Sequence, residues 1–113
     1  MAKPNIDIKE VSLNTTCGVP ESINITYKVF VGGPCRICLD IPHSAPVFFA
    51  DTSSNSKCVL ISNPVVGKSE SIQFKVSFES LKKDVHFFMI TGTITDSAGN
   101  SRSDYLSVQV DCR

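Results

Sequence analysis

Five cysteines, Cys17, Cys35, Cys38, Cys58 and Cys112, are the residues of this sequence best equipped for chemistry. Cys35-Arg36-Ile37-Cys38 has the spacing of a redox pair or of half a zinc site. A redox pair of this kind usually sits at a helix N-terminus, where the helix dipole lowers the thiol pKa. Here Ile37, Leu39 and Ile41 continue an every-second-residue apolar pattern, which predicts a strand. Strand parity then sends the two sulfurs to opposite faces. Zinc would require Cys58, His43 or His86 to converge on the pair, and there is no second Cys-x-x-Cys and no His-x-x-x-His. Structural disulfides plus a buried thiol are the expected state, because the odd count leaves one cysteine free or paired outside the chain. A metal (zinc) or thiol site built on Cys35, Cys38, Cys58 and a histidine is the alternative.

Other candidate chemistry is sparse. No Gly-x-Ser-x-Gly and no glycine-rich phosphate loop is present, and neither histidine stands in a catalytic spacing. Asp96, Asp104 and Asp111 raise the question of calcium, but that ion takes six or more oxygens and no Asp-x-Asp or Asp-x-Asn run supplies them. No catalytic residue, cofactor site or metal site is assigned, and the expected protein is not an enzyme. Two sequons, Asn14-Thr15-Thr16 and Asn24-Ile25-Thr26, make Asn14 and Asn24 glycosylation candidates. Together with the cysteines they point to an oxidising, extracytoplasmic setting, extracellular or at the cell surface.

Charge excludes further classes. Lys plus Arg and Asp plus Glu balance at 11 each, with no basic run, so nucleic acid is not an expected partner. The longest apolar stretches, Ala45 to Ala50 and Phe87 to Ile90, are far shorter than the ~20 residues of a spanning helix. No membrane insertion of this segment is expected. At 113 residues the chain is one domain's worth, residues 1–113. The start, Met1-Ala2-Lys3-Pro4, lacks an apolar signal segment, and the apolar pattern runs to both ends, as in a module excised from a longer protein.

The elements that must position these residues are strands. Ile23, Ile25, Tyr27, Val29 and Val31 alternate with polar residues, as do Ile72, Phe74, Val76 and Phe78. Period two over such lengths marks half-buried strands. Ile6, Ile8, Val11 and Leu13 outline a first strand with a register slip that predicts a bulge. Cys35 to Ile41, Val47 to Ala50, Cys58 to Ile61, His86 to Thr95 and Tyr105 to Val110 are the others, separated by Gly-, Pro-, Asn- and Asp-rich turns. The expected fold is all-β: an immunoglobulin-like (fibronectin-III-like) β-sandwich of seven to eight antiparallel strands.

Two stretches carry a resemblance. Ile90-Thr91-Gly92-Thr93-Ile94-Thr95-Asp96-Ser97-Ala98-Gly99-Asn100, followed by Leu106-Ser107-Val108-Gln109-Val110, resembles the last hairpin of Ig-like modules in bacterial and archaeal cell-surface proteins. The opening strands, Asn5 to Ile8 and Ile23 to Val29, are similar to those of the adhesion-related subset. The resemblance implies a non-catalytic structural, adhesion or protein-interaction module whose partners are neighbouring domains of the same chain or another surface protein. The chain departs from true immunoglobulin domains in having no Trp and no Cys on the second and sixth strands. A glycosylated receptor domain is a further reading, suggested by Asn14 and Asn24.

Sandwich geometry sharpens two expectations. The turn after the first strand and the end of the last lie at one pole, which favours a Cys17–Cys112 bridge and leaves Cys58 to pair with Cys35 or Cys38. If Phe88, Ile90 and Ile94 face the core, Phe87 and Met89 face out, beside Tyr105 and Cys38 and joined by Phe48 or Phe49. Phe87, Met89 and Tyr105 are therefore interaction-face candidates, unless the loop from Asp51 to Ser56 covers them.

Overall fold

Alternation decides where the chain goes. In β3 (Glu21–Lys28) Ile23, Ile25 and Tyr27 are buried, and in β7 (Glu70–Val76) Phe74 and Val76 are buried. The computed structural model describes residues 3–113. In it β3 pairs antiparallel with β7 on one side and with β1 (Asn5–Ile8) on the other. Beyond Ser77 the chain resumes as β8 (Phe78–Glu79), which pairs with β5 (Phe48–Phe49). The second layer is a five-stranded sheet in the order β2 (Ser12–Thr16), β10 (Ser101–Asp111), β9 (Val85–Thr95), β4 (Cys35–Asp40) and β6 (Ser56–Ile61). Every pairing in it is antiparallel except the parallel β2–β10 pair.

The layers meet over a continuous apolar core. Ile23, Ile25 and Phe78 contribute from one side, and Ile37, Leu39, Ile90, Ile94 and Leu106 from the other, all fully buried. Each such side chain is worth about 1.5–3 kcal/mol relative to exposure. The protein is thus an all-β immunoglobulin-like sandwich. Ten strands appear among the described residues where seven to eight were expected, because two runs each divide in two.

The first division corrects the expectation of a bulge. The run from Ile6 to Leu13 changes sheets: Ile8 pairs with Ile25 in one layer, and Ser12 with Ser107 in the other. Lys9, Glu10 and Val11 make the crossing, and Val11 is 88% exposed. Ile8 and Leu13 then reach the same core from opposite sides, so the slip in register is the footprint of a strand changing layers. The Asp104 carboxylate accepts the Ile8 N–H at 2.8 Å and ties the two layers together where β1 ends.

The β9–β10 hairpin turns on a buried carboxylate. Asp96 Oδ1 accepts the Ala98 N–H at 3.0 Å and the Asn100 N–H at 2.9 Å, while Asp96 N–H donates to the Asn100 carbonyl. Gly99 sits at φ 87°, where an L side chain is strained. Ser97 Oγ reaches across to the Gly32 carbonyl, so the hairpin also braces the turn before β4. Asp96→Ala removes the acceptor of two N–H groups at a site only 5% exposed. Chemical denaturation should show a loss of about 2–3 kcal/mol. A loss below about 0.5 kcal/mol would mean the turn is held by backbone conformation alone.

The body is elongated, 46 × 21 × 19 Å. Arg102, next to the hairpin, donates to Asn5 Oδ1 at the start of β1. At the opposite pole β2 ends against the end of β10, with Thr16 opposite Asp111. The first and last strands therefore begin and end at opposite poles.

Candidate functional site

The cysteines separate into three environments. Cys17 follows β2 and Cys112 follows β10, and the parallel pairing of those strands brings them together. They form a disulfide with Cα atoms 5.0 Å apart, beside the bond from Cys17 N–H to the Asp111 carbonyl. Cys38 and Cys58 are register partners on β4 and β6 and form a second disulfide, Cα to Cα 4.0 Å. Both lie on the outer face of the five-stranded sheet, Cys58 exposed and Cys38 half-buried. Cys35 is buried as a free thiol on the inner face of β4. Burial, then the Asp96 carboxylate, pushes the Cys35 thiol pKa up, away from the reactive thiolate.

This arrangement does not support the alternative of a metal or thiol site. Cys38 and Cys58 consume each other, and Cys35 points to the opposite side of the strand. His86 is buried with Nε2 bonded to the Lys82 carbonyl at 2.9 Å, and His43 lies exposed in the loop after β4. Among the described residues no three His, Cys, Asp or Glu side chains gather in a metal-holding group. The three aspartates are likewise dispersed: Asp96 holds the hairpin, Asp104 accepts from Ile8, and Asp111 pairs with Arg113. The Arg113 guanidinium pulls the Asp111 carboxyl down to about 2.

A thiol titration reads this layout directly. The native protein should give no rapidly reacting thiol, one in denaturant without reductant, and all five after reduction. Three reactive thiols in denaturant would mean that one of the bridges does not form.

The outer face of the five-stranded sheet is the remaining candidate surface. Its β9–β10 ladder runs from polar to apolar along the long axis. Near the hairpin, Thr95 faces Ser101 and Thr93 faces Ser103, with hydroxyl pairs at 3.0 and 2.9 Å. Next comes Thr91 beside Tyr105, then Met89 beside Ser107, then Phe87 beside Gln109. Phe87 is 73% exposed, Met89 48% and Tyr105 55%. At the apolar end, β2 adds Ser12 and Asn14, and a shallow groove of about 520 Å³ lies over these residues.

Two expectations about this face fail. Phe48 and Phe49 do not join it: β5 crosses to β8, and Phe49 is fully buried against Phe78, ring centroids 5.7 Å apart. The loop from Asp51 to Ser56 does not cover it either. That loop is drawn toward the other layer, where Lys57 pairs with Asp51 and donates to the Lys75 carbonyl at 2.7 Å. The hydroxyl ladder escaped the sequence reading. Its signal was the run of Thr and Ser at alternate positions of the last two strands, which alone looks like ordinary solvent-facing filler.

The two sequons occupy different surroundings. Asn14 is exposed on β2, an edge strand, in register with Gln109. Asn24 is half-buried on the central strand of the smaller sheet, opposite Gln73 and flanked by the Ser22–Lys75 and Thr26–Ser71 pairs.

No family model matches the chain, and no curated protein does. Among solved structures, the chain is similar to a non-cellulosomal cohesin from the hyperthermophilic archaeon Archaeoglobus fulgidus. The identity is 15% over 96% of this chain and 91% of that one, with a TM-score of 0.49. A likeness this distant carries no weight for function, which rests on this chain's own residues.

Proposed function

We propose that the protein is a non-catalytic protein-interaction or adhesion module, one bead of a longer extracytoplasmic surface protein. Its contact surface is the outer face of the five-stranded sheet, with Tyr105 at the centre and Met89 and Phe87 toward one end. The observation that carries this reading is the uncovered row Phe87, Met89 and Tyr105 along β9 and β10. Exposed aromatic and Met side chains bordered by hydroxyl-bearing residues and by the charged Arg36 and Asp40 of β4 are the composition of a protein contact with a polar rim. Two disulfides suit an oxidising compartment. Strands that begin and end at opposite poles of a 46 Å body let the module space its neighbours along a chain.

The test is site-specific photo-crosslinking in the full-length parent protein on its own cell. A crosslinker at Tyr105 should join a neighbouring domain or a second surface protein, while one at Lys75, on the outer face of the other layer, should not. Equal labelling from both positions, or none from Tyr105, overturns the assignment of the face.

A further inference from the structure

The apolar end of the five-stranded sheet and the Asn14 sequon lie in the same rows of the ladder. Asn14 is in register with Gln109, and Gln109 with Phe87. Ser12 is in register with Ser107, and Ser107 with Met89. All six side chains line one groove. Asn14 and Phe87 are two strand spacings apart, about 10 Å, which the first two hexosamine rings of an N-linked glycan span. Between them stand only a glutamine and a serine, which can hydrogen-bond sugar hydroxyls and N-acetyl groups.

From this register we infer that Asn14 is an N-glycosylation site whose first sugars lie across Gln109 and pack on Phe87 and Met89. The inference rests on the extracytoplasmic reading above and divides the proposed contact face. The Phe87–Met89 end belongs to the module's own sugar, and the Tyr105 end remains for the partner. The C–H face of a hexosamine ring is apolar and stacks on an aromatic ring, so a 73%-exposed Phe and a 48%-exposed Met become covered surface. Asn14 also lies on an edge strand, where a bulky hydrophilic group blocks strand-to-strand association. Thr16, two residues on, is exposed and supplies the hydroxyl of the sequon. Asn24 meets the sequence requirement too, but its register neighbours Gln73, Lys75 and Ser71 offer nothing apolar to cover.

The co-reactant is a polyisoprenyl-diphosphate-linked oligosaccharide. The Asn14 amide nitrogen attacks C1 of the first sugar, and the new N–C1 bond replaces the C1–O bond to diphosphate. The diphosphate leaves with the electron pair and the amide gives up one proton, with no change of oxidation state.

The experiment expresses the chain through a eukaryotic secretory pathway as wild type, Asn14→Gln, Asn24→Gln, Phe87→Ser/Met89→Ser, and the combination of Asn14→Gln with the double serine variant. Glycopeptide mass spectrometry should find Asn14 occupied. NMR should show contacts between the first two sugars and the Phe87 ring, with ring-current shifts of the sugar protons. Asn14→Gln should lower Tm by about 4 °C in the wild-type background and leave it unchanged in the double serine background. An unmodified Asn14 in the secreted, folded protein overturns the inference. So does an occupied Asn14 whose loss lowers Tm equally in both backgrounds, or whose sugars make no contact with Phe87. None of these readouts involves a partner, so they stand or fall apart from the crosslinking at Tyr105.

Discussion

Replacing Cys17 and Cys112 together by alanine should cost the protein about 4–5 kcal/mol. The bridge closes a loop of 95 residues, nearly the whole chain. In the chain-entropy account a cross-link acts mainly by restricting the unfolded ensemble, and the restriction grows with the logarithm of loop length. Cys38–Cys58 closes only 20 residues, and its removal should cost about 3 kcal/mol or less. For a domain whose total stability is about 5–15 kcal/mol, each loss is a large fraction of the total, and the first is the larger. Urea denaturation checks both. The Cys17→Ala/Cys112→Ala midpoint should fall well below that of Cys38→Ala/Cys58→Ala, and its m-value should rise because the freed unfolded chain exposes more surface. A larger loss from the shorter loop would show that native contacts, rather than unfolded-state restriction, dominate these bridges.

What the sequence revealed follows from local periodicity. The alternation of Ile23, Ile25 and Tyr27, and of Ile72, Phe74, Val76 and Phe78, encodes strands and the side each residue faces. The same parity puts Phe87 and Met89 on the face opposite Phe88 and Ile90 without knowledge of any neighbour. What stayed hidden depends on which strand lies beside which. Cys58 had two equivalent partners in sequence terms, and only the antiparallel register setting Cys38 opposite Cys58 chooses between them. The departure of β5 to the other layer, which takes Phe48 and Phe49 away from the outer face, is likewise a tertiary event. The slip between Ile8 and Val11 was visible, but its meaning was not. A bulge and a change of sheet both add residues between apolar positions, and the pairing of Ile8 with Ile25 in one layer and of Ser12 with Ser107 in the other tells them apart.

The hidden β5–β8 pair also carries the largest expected effect of a single substitution. Phe78 is fully buried, with ring centroids 5.7 Å from Phe49 and 5.8 Å from Phe88. It therefore bridges β5, β8 and β9, which belong to both layers. Its carbonyl also accepts the Gly18 N–H at 2.9 Å, next to the Cys17 bridge. Phe78→Ala deletes a ring that three elements pack against, and β8 has only two residues with which to hold its place. Truncation of a buried Phe costs about 3–5 kcal/mol, the upper part applying where the site cannot collapse. Here collapse is opposed by the β3–β7 ladder that leads into β8 and by the 11-residue pairing of β9 with β10. Leu81, three residues along but 96% exposed, is the control, and Leu81→Ala should change stability by no more than about 0.5 kcal/mol. Denaturation midpoints of the two variants at unchanged m-value measure the contrast. If Phe78→Ala costs under about 1.5 kcal/mol, β5 and β8 are appendages rather than part of the core, and the crossing that uncovers the Tyr105 face would lose its anchor.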